Sequence, residues 1–550
     1  MNIAEHICNY LVAYNVRYIF GYPGAAILPL MDAINKHPQL EWVLMRHEGA
    51  AAFAATAQAK LTQRLTVCMA STGPGTTNLL TGISDADLDR APVLVITGSV
   101  AIYKHNLSHF QDIDQLAVLA SCCGFNVRGE HPLQFPQLLQ NAIGYVIRNR
   151  RPAHVSIASD LQSVVLTPHQ LESANHQYHR LHSYLDFMYP PAEVLDDAAQ
   201  ILLASENIII AVGPRALHAG PDIERLAEKL HAPIVCSFAS KGIINENHPN
   251  YFGVLGLFSA PASQCALSTI KNAKLVLAFG IDDLVYFVTD HNLNQIRELM
   301  QIEPDVTSLS HHFVPQKVLL GPLDKIAAKL SLRVSGSDSS FLIQAQTNRS
   351  NLQNIRIKKS TTTAPGTVHQ RLFIEKLNPF VDQAKMVLAL DIGDSTIWAI
   401  KYLRLTHYQL ILVSNRLGCM GFCLPALIAA KLEKPDHLVV GICGDGGLQM
   451  ILGELNTAAQ LDVNIIIIIF NNGTLQRVAA QQNSTYGTVI KNPDFTELAK
   501  CCGFSSIKIK HTDEIEPKLR LAFAIKKGPV LIEVMCDPAV YATMHPWVAP

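Results

Sequence analysis

The sequence predicts an α/β protein with three doubly wound parallel-sheet domains, and three observations lead to this fold class. The chain has 550 residues, more than one hydrophobic core accommodates at about 150 residues per domain. Its short apolar runs are continuous rather than alternating, which indicates strands buried on both faces, as in parallel sheets covered by helices. Helical stretches lie between these runs, which is the repeated strand–helix pattern of doubly wound sheets.

Ten short apolar runs are predicted to be strands. They are residues 67–70, 93–97, 154–158, 208–212, 275–279, 387–390, 410–413, 438–442, 465–470 and 530–534. Most of them end in small or polar residues, which is typical of a strand that leads into a loop. Residues 224–230 and 425–432 are predicted to be helices between such strands.

Two stretches without apolar periodicity, residues 166–190 and 334–365, are predicted to be linkers; the second contains a polar, helix-like segment. They divide the chain into an N-terminal domain of residues 1–165, a middle domain of residues 190–333 and a C-terminal domain of residues 366–550.

Composition excludes several classes of protein. Apolar residues make up 49% and charged residues 16% of the chain, which excludes a disordered or fibrous protein. The 44 basic and 45 acidic residues give a net charge of −1, so no basic excess favours nucleic acid or an anionic membrane. The longest apolar run, 465–470, is far shorter than the roughly 20 residues of a membrane span. With no apolar leader and no CxxC pair among the 12 cysteines, we expect a cytoplasmic protein with reduced thiols.

The most specific motif in the chain is Gly444-Asp445-Gly446, followed after 24 residues by Asn471-Asn472. Each half follows a predicted strand, so both lie at the carboxyl edge of one parallel sheet, where open α/β folds bind ligands. The glycines allow close approach of backbone to a ligand, while Asp445 and Asn472 supply hard oxygen atoms and the backbone near Thr474 a third. Mg²⁺ prefers such ligands and commonly shares its coordination shell with phosphate.

This motif resembles that of the thiamine diphosphate (ThDP) enzymes, in the branch of acetolactate synthases, pyruvate oxidases and 2-oxo acid decarboxylases. Segment 417–426, around Gly418 and Met420, resembles the family segment under the cofactor, where Met420 would force ThDP into its bent form. The resemblance implies ThDP and Mg²⁺ as cofactors, with Asp445, Asn472 and Thr474 as metal ligands. The cofactor-binding residues that it implies are Gly24, Gly75, Asn78, Ser395, Gly418, Met420, Gly444, Asp445, Gly446, Gly447, Asn472, Thr474 and Leu475.

Segment 46–55 resembles the family motif that carries the activating glutamate, which is Glu48 here. The chemistry needs a carboxyl group against N1′ of the aminopyrimidine, and burial in an apolar pocket would raise its pKa to suit proton sharing. The resemblance implies that Glu48 reaches the cofactor held by Asp445 and Asn472 of another subunit. We therefore expect a homodimer or homotetramer with the active site at the subunit interface.

Phe110-Gln111-Asp112 resembles the synthase segment Phe-Gln-Glu, whose glutamine faces the reaction intermediate. Gln111 is therefore the leading candidate for a substrate-side polar group, and its neighbour His109 is a candidate acid/base. The alternative for His109 is a purely structural role. Segment 20–25, which includes Gly24, resembles the synthase loop near the reacting carbon, with Ala25 in place of a second glycine.

Several segments differ from the synthase pattern. Gln481 stands where synthases carry a tryptophan that tunes the choice of acceptor, and Asp394-Ser395 resembles the decarboxylases. Ser395 could donate a hydrogen bond to the diphosphate, whereas Asp394 should point away from it. The FAD segments of the middle domain are altered as well: Gly280-Ile281-Asp282-Asp283 lacks the arginine of the family pattern. We expect weak or absent FAD.

The resulting function prediction is decarboxylation of pyruvate or a similar 2-oxo acid with carboligation to a second carbonyl. One alternative is a non-oxidative 2-oxo acid decarboxylase that releases an aldehyde, and oxidation by a flavin route is another. A third, from a different class, is a ThDP-binding scaffold without turnover, against which the intact Glu48, Asp445 and Asn472 argue.

Overall fold

The structure is a computed structural model that describes residues 1–167, 189–255, 269–270, 272–281, 298–304, 306–309, 314–336, 339–354 and 362–542. These residues contain three six-stranded sheets in which all adjacent strands are parallel. The sheets with their helices confirm the predicted fold class.

The first sheet has the strand order β2-β1-β3-β4-β6-β5. Its strands are β1 Tyr18–Gly21, β2 Glu41–Leu44, β3 Thr66–Ala70, β4 Val93–Ser99, β5 Phe125–Gly129 and β6 Ala153–Ala158. Its helices are α1 Ile3–Ala13, α2 Leu28–Lys36, α3 Glu48–Thr62, α4 Pro74–Asn78, α5 Leu80–Leu88, α6 Gln115–Leu119 and α7 Phe135–Asn149. Helix α1 begins with a capping box, in which Asn2 and Glu5 each accept a hydrogen bond from the other's backbone N–H.

The second sheet has the order β12-β11-β10-β7-β8-β9. Its strands are β7 Ile208–Val212, β8 Ile234–Ser237, β9 Tyr251–Leu255, β10 Leu275–Phe279, β11 Glu298–Glu303 and β12 Lys317–Leu320. The helices described in this part of the chain are α8 Ala192–Ala204, α9 Gly220–Leu230, α10 Leu323–Ser331 and α11 Ser340–Asn354. Helix α11 lies within the predicted linker 334–365, where a helix-like segment was expected. Most of the other predicted linker, residues 168–188, lies outside the described residues.

The third sheet has the order β14-β13-β15-β16-β18-β17. Its strands are β13 Met386–Leu390, β14 Leu410–Val413, β15 Leu438–Gly444, β16 Ile466–Asn471, β17 Ser505–Ile509 and β18 Val530–Met535. Its helices are α12 Gln370–Val381, α13 Asp394–Tyr402, α14 Cys423–Glu433, α15 Asp445–Gln449, α16 Glu454–Gln460, α17 Gln476–Gln482, α18 Phe495–Cys501 and α19 Ile515–Ala524.

Every one of the ten predicted strands falls on an observed strand, within a residue or two at either end. The strands that the sequence did not reveal include β2, β5, β12 and β17, which lie at sheet edges. Their side chains are largely half-buried or exposed, so no continuous apolar run marks them. The two predicted helices fall within α9 and α14.

The first and third sheets share one hydrophobic core. Helix α3 packs against α14, and the rings of Phe53 and Phe422 meet edge to face with their centroids 5.7 Å apart. Gln58 on α3 donates a hydrogen bond of 3.0 Å to Glu433 at the end of α14. The loops that precede these two helices are therefore fixed relative to each other within the chain. Among the residues that the structure describes, every helix is too short or too polar to cross a membrane.

Candidate active site

Asp445 lies where β15 passes into α15, at the carboxyl edge of the third sheet. Its buried carboxylate accepts hydrogen bonds from the backbone N–H of Gly446 (2.9 Å) and of Gly473 (2.8 Å). The side-chain amide of Asn492 donates a third, at 2.7 Å. Burial raises the pKa of Asp445, and these donors oppose that shift. The carboxylate is thus held in one orientation from three sides.

The paired asparagines have different surroundings. Asn471 is turned into the sheet: its amide nitrogen donates to Glu533 (2.7 Å) and its oxygen accepts from Asn492 (2.7 Å). Asn472 instead faces the cleft beside Asp445, and its side-chain oxygen accepts a hydrogen bond of 3.1 Å from the backbone N–H of Thr474. Because an amide oxygen has two lone pairs, this bond leaves Asn472 able to ligate a cation.

No group of three or more His, Cys, Asp or Glu side chains that could hold a metal ion occurs among the described residues. The predicted metal site consists of one carboxylate, one amide and one backbone carbonyl, from Asp445, Asn472 and Thr474, so it is not a cluster of that kind. Its remaining ligands would be phosphate oxygens and water, which is how Mg²⁺ is commonly held.

The segment that carries Met420 is fixed by Asp391, at the end of β13. The Asp391 carboxylate accepts three backbone hydrogen bonds, from Gly421 (2.9 Å), Phe422 (2.8 Å) and Cys423 (3.1 Å). Burial raises its pKa to about 6, against the effect of these donors. Met420 is thereby held beside Gly446, where an added Cβ would lie only 3.3 Å from the methionine Cε.

These elements surround a cleft of about 570 Å³ that opens to solvent. Its walls are formed by Asp394, Ser395, Met420, Gly444, Asp445, Gly446, Gly447, Asn472, Thr474, Leu475 and seven further residues in the range 370–478, including Arg477. Among the described residues, four buried polar atoms of the wall have no hydrogen-bond partner: Gln370 Oε1, Ser395 Oγ, Gln476 Oε1 and Arg477 Nε. Since buried polar atoms are nearly always paired, their concentration here indicates a polar ligand. The two donors among them, Ser395 Oγ and Arg477 Nε, fit a diphosphate, which accepts hydrogen bonds.

Gly447 and Gly418 also belong to this region. A Cβ at Gly447 would overlap the carboxylate of Asp391, so only glycine fits there. Gly418 has a φ of +74°, a left-handed conformation that side chains rarely adopt. Both glycines therefore let the chain pass close to the cleft without distorting it.

Asp394 has both oxygens occupied by donors. The indole N–H of Trp398 donates at 2.6 Å and the backbone N–H of Ala542 at 2.9 Å. Burial raises the pKa of Asp394 to about 6, while Arg477 and Lys401 act to lower it.

Glu48 is the first residue of α3 and is buried at the carboxyl edge of the first sheet. Asn78 donates a hydrogen bond of 2.9 Å to one of its carboxylate oxygens. A Cβ at Gly75 would lie 3.4 Å from the other oxygen. Asn78 thus orients the carboxyl group of Glu48, and Gly75 leaves space beside it.

The loop before Glu48 is held by the C-terminal domain. Glu454, at the start of α16, accepts hydrogen bonds from the backbone N–H of Arg46 (2.9 Å) and His47 (3.1 Å). Thr457 donates to its second oxygen at 2.7 Å. Burial raises the pKa of Glu454. The position of Glu48 therefore depends on a carboxylate more than 400 positions later in the chain.

Gln111 lies against the turn at residues 71–75. Its carbonyl accepts a hydrogen bond of 3.0 Å from Thr72, and a Cβ at Gly73 would be 2.9 Å from its own Cβ. Its φ of +62° is left-handed, which is uncommon for a residue with a side chain and often marks a functional loop. The same turn reaches Glu48 through Gly75, so the fold places both residues around one turn.

His109 is exposed, with Nδ1 at 3.2 Å from the carbonyl oxygen of Phe110. The Phe110 ring itself is 80% exposed. Gly24 packs against Ser71 of the same turn, where an added Cβ would have no room. The segment around Gln111 therefore presents an uncovered surface in the single chain.

Glu48 does not line the cleft at Asp445. All residues that line the cleft at Asp445 lie between positions 370 and 478, so Glu48 is not among them. The described hydrogen bond of the Glu48 carboxylate is to Asn78 in its own domain.

Four residues near the two half-sites were not found by sequence reasoning: Asn492, Glu454, Asp391 and Arg477. Asn492 and Glu454 are distant in sequence from the groups that they hold, and nothing in the sequence links them. Asp391 follows a predicted strand directly, a signal that could have identified it. Arg477 lies two residues after Leu475, outside the predicted cofactor-binding residues, and its charge directly before the apolar residues 478–480 was the available signal.

At the carboxyl edge of the middle sheet, Arg215 forms a buried ion pair with Glu303, with 2.8 Å between the charged atoms. The Gly213 backbone lies against Gly280, where a Cβ would overlap the carbonyl oxygen. Asp282 and Asp283, in the altered FAD segment, lie outside the described residues.

Three family models match the chain, all of thiamine pyrophosphate (ThDP) enzymes. The N-terminal TPP binding domain matches residues 1–118, the central domain residues 195–330, and the C-terminal TPP binding domain residues 391–534. Together they cover more than half of the chain and include Glu48, Asp445 and Asn472. The chain belongs to the thiamine diphosphate enzyme family.

Full-length relatives identify the branch. A probable acetolactate synthase large subunit from Methanococcus aeolicus is 28% identical over 99% of this chain and 94% of that protein. The acetolactate synthase isozyme 2 large subunit of Escherichia coli is 28% identical over 98% and 96%. The pyruvate oxidase of Lactiplantibacillus plantarum is 28% identical over 96% and 87%. Within the family, the protein is therefore a member of the acetolactate synthase branch.

Proposed function

We propose that this protein uses ThDP and Mg²⁺ to decarboxylate pyruvate, or a similar 2-oxo acid, and to join the product to a second carbonyl. The observation that carries this proposal is the placement of Gln111 and Glu48 around one turn at the carboxyl edge of the first sheet. Relatives named acetolactate synthase large subunit support the same reaction.

In this proposal, Asp445 and Asn472 with the loop backbone at Thr474 hold Mg²⁺. ThDP supplies the carbanion chemistry when it is bound. Glu48 exchanges a proton with the aminopyrimidine ring, since its carboxyl group is oriented by Asn78. Gln111 provides a polar contact for the substrate, and exposed His109 is the weaker candidate for a second proton donor.

We also propose that the active unit is a homodimer or homotetramer, in which Glu48 of one subunit completes the cleft of another. The absence of Glu48 from the cleft wall of its own chain supports this arrangement. Large exposed apolar side chains flank both half-sites: Phe110 and Leu107 on one, and Tyr486, Val489 and Met450 on the other. Their exposed surface is of the kind that a partner subunit covers.

The domain limits 1–165, 190–333 and 366–550, the weak or absent FAD and the cytoplasmic location stay predictions. The FAD prediction rests on the altered segment Gly280-Ile281-Asp282-Asp283, which lacks the arginine of the family pattern. An absorption spectrum with stoichiometric flavin in the purified protein would contradict it.

The test is an NMR assay of products formed from pyruvate with ThDP and Mg²⁺, without added flavin. Acetolactate or acetoin is the expected product, and Asp445→Asn is the negative control. Acetaldehyde alone would replace the proposal with the decarboxylase alternative. If pyruvate is not consumed, exchange of the ThDP C2 proton is measured next. Exchange would indicate an active site that uses another donor acid, and no exchange would indicate a scaffold without turnover.

A further inference from the structure

One basic residue in the wall of the cleft at Asp445 has no role in the proposed function. Arg477 is the second residue of α17, and its Nε is buried without a hydrogen-bond partner among the described residues. Burial lowers its pKa, yet a guanidinium keeps its proton in proteins. Arg477 is half-buried, and a guanidinium in a cleft that leaves an N–H donor unpaired is suited to bind an anion there.

The neighbours of Arg477 locate this anion. The guanidinium interacts electrostatically with Asp394, but both oxygens of that carboxylate are hydrogen-bonded to Trp398 and Ala542. The hydroxyl of the adjacent Ser395 is buried and also has no partner. A cationic donor and a free hydroxyl donor thus lie at the same end of the cleft, at the carboxyl edge of β13.

We propose that Arg477 and Ser395 bind the diphosphate group of ThDP in the cleft that also contains Asp445 and Asn472. This proposal rests on the proposed function only in taking ThDP as the ligand of the cleft, and it holds for whichever reaction follows. It assigns this role to a side chain outside the motif residues considered above.

The charges in the cleft explain why a basic residue is needed here. A diphosphate bound as its Mg²⁺ complex retains negative charge, and Asp394 lies in the same wall. Asp394 in its ionised form would repel that ligand, whereas Arg477 attracts it and offsets the carboxylate. A charge-assisted bond from arginine to phosphate is among the stronger hydrogen bonds in proteins.

A second carboxylate on the substrate is the other anion that Arg477 could bind, and experiment separates the two. ThDP and inorganic diphosphate, each with Mg²⁺, would be titrated calorimetrically into the apo full-length protein. For Arg477→Met, we expect the Kd of both ligands to rise by the same factor, about 10- to 100-fold. Arg477→Lys should recover part of the loss, and Ser395→Ala should cause a smaller one.

The control variant is Arg520→Met. Arg520 lies on α19, is 70% exposed and pairs with Glu516, so this change should leave both Kd values within twofold of wild type. The melting temperature of the apo protein adds a readout that a structural role would change differently. Arg477→Met should leave it nearly unchanged, because the buried Nε makes no hydrogen bond among the described residues, while the stabilisation by added ThDP shrinks.

Three results would overturn the proposal. One is a Kd for ThDP within twofold of wild type in Arg477→Met. Another is a lower apo melting temperature with unchanged ligand affinity, which indicates a structural role. The third is an Arg477→Met variant whose Kd for ThDP equals that of wild type but whose KM for a dicarboxylic 2-oxo acid, 2-oxoglutarate, is at least tenfold higher. Arg477 would then bind the substrate and not the diphosphate. Arginine-dependent ThDP binding without any carboligation product would reject the proposed function and leave this inference standing.

Discussion

The N-terminal and C-terminal sheets have the same strand order, second–first–third–fourth–sixth–fifth, when the strands of each are counted from its first. The helix after the second strand is α3 in one and α14 in the other, and these two helices pack against each other. The loop before α3 ends at Glu48, and the loop before α14 carries Met420. One scaffold thus presents a buried carboxyl group in one half and a methionine in the other, so the two halves differ in what their loops carry.

The third strand of each sheet shows the same relation. After β3 comes the turn at 71–75, which contributes glycines and hydroxyl groups beside Glu48, whereas after β15 comes Asp445 with its three hydrogen-bond donors. The sequence Cys-Cys-Gly-Phe also occurs twice in the chain, at 122–125 and 501–504, and both copies lie at the start of the fifth strand of their sheet, β5 and β17. The first copy's cysteines are buried, while Cys501 is exposed, so position is retained and environment is not.

The largest effect is expected from the acid of the N-terminal half-site. Glu48→Gln should keep ThDP affinity within a few-fold, since the amide can still accept from Asn78, but should slow exchange of the ThDP C2 proton about 10²- to 10⁴-fold. NMR of quenched samples in D₂O measures that exchange. Glu516→Gln, on the exposed face of α19, is the control for the loss of a carboxylate charge. An exchange rate equal to wild type in Glu48→Gln would refute the assignment.

The next effect tests the C-terminal half-site. Asn492→Ala removes the donor that joins Asp445 to Asn471, so the carboxylate loses one of its three donors. We expect Mg²⁺-dependent ThDP affinity to fall about 10- to 100-fold, the usual effect of losing a group that orients a metal ligand. Calorimetry with and without Mg²⁺ measures it. Asn464→Ala, which removes bonds to the carbonyls of Ile525 and Gly528, should leave the affinity unchanged; equal losses in the two variants would indicate a general effect on folding.

The sequence predicted the core strands and the motif residues for one reason: both are local. A buried strand such as β10 or β16 is a continuous apolar run, and Asp445 lies directly after one. Edge strands such as β5 and β17 lack that run because solvent takes up part of their surface. Asn492 and Glu454 could not be found, since each acts through a contact between segments distant in sequence. His109 shows a different limit of sequence reasoning. Its residue type and its place near Gln111 suggested a catalytic role, but the sequence did not reveal that its side chain is exposed in the single chain.

A smaller effect concerns Glu454, whose hydrogen bonds join the C-terminal half of the chain to the loop before Glu48. Glu454→Gln retains one acceptor oxygen but loses the charge that strengthens its bonds to the backbone of Arg46 and His47. The free energy of unfolding should fall by about 1–3 kcal/mol, and C2-proton exchange should slow as well, because the loop before Glu48 loosens. Thermal melting and the exchange assay measure the two effects. Glu516→Gln on the exposed face of α19 is the matched control. An unchanged melting temperature in Glu454→Gln would show that the charge of Glu454 is not needed to hold the loop before Glu48.

The smallest effect is a pH dependence of ThDP affinity that distinguishes the roles of the two carboxylates in the C-terminal cleft, Asp445 and Asp394. Asp445 has three amide donors and faces the proposed metal, whereas Asp394 has two donors and lies beside Arg477. Burial raises the pKa of Asp394 to about 6, so its carboxyl group is protonated at pH 5 and ionised at pH 7.5. Ionisation places a negative charge near the diphosphate, so ThDP affinity should fall as pH rises through about 6.

The diphosphate of ThDP also titrates in this pH range, and comparison of the wild type with Asp394→Asn cancels that contribution. Variant and wild type should bind ThDP equally at pH 5, and the variant about threefold more tightly at pH 7.5. Calorimetry at the two pH values measures the difference, with exposed Asp513→Asn as the control. A variant that binds more weakly at both values would mean that the bonds to Trp398 and Ala542, and not the charge, determine what Asp394 contributes.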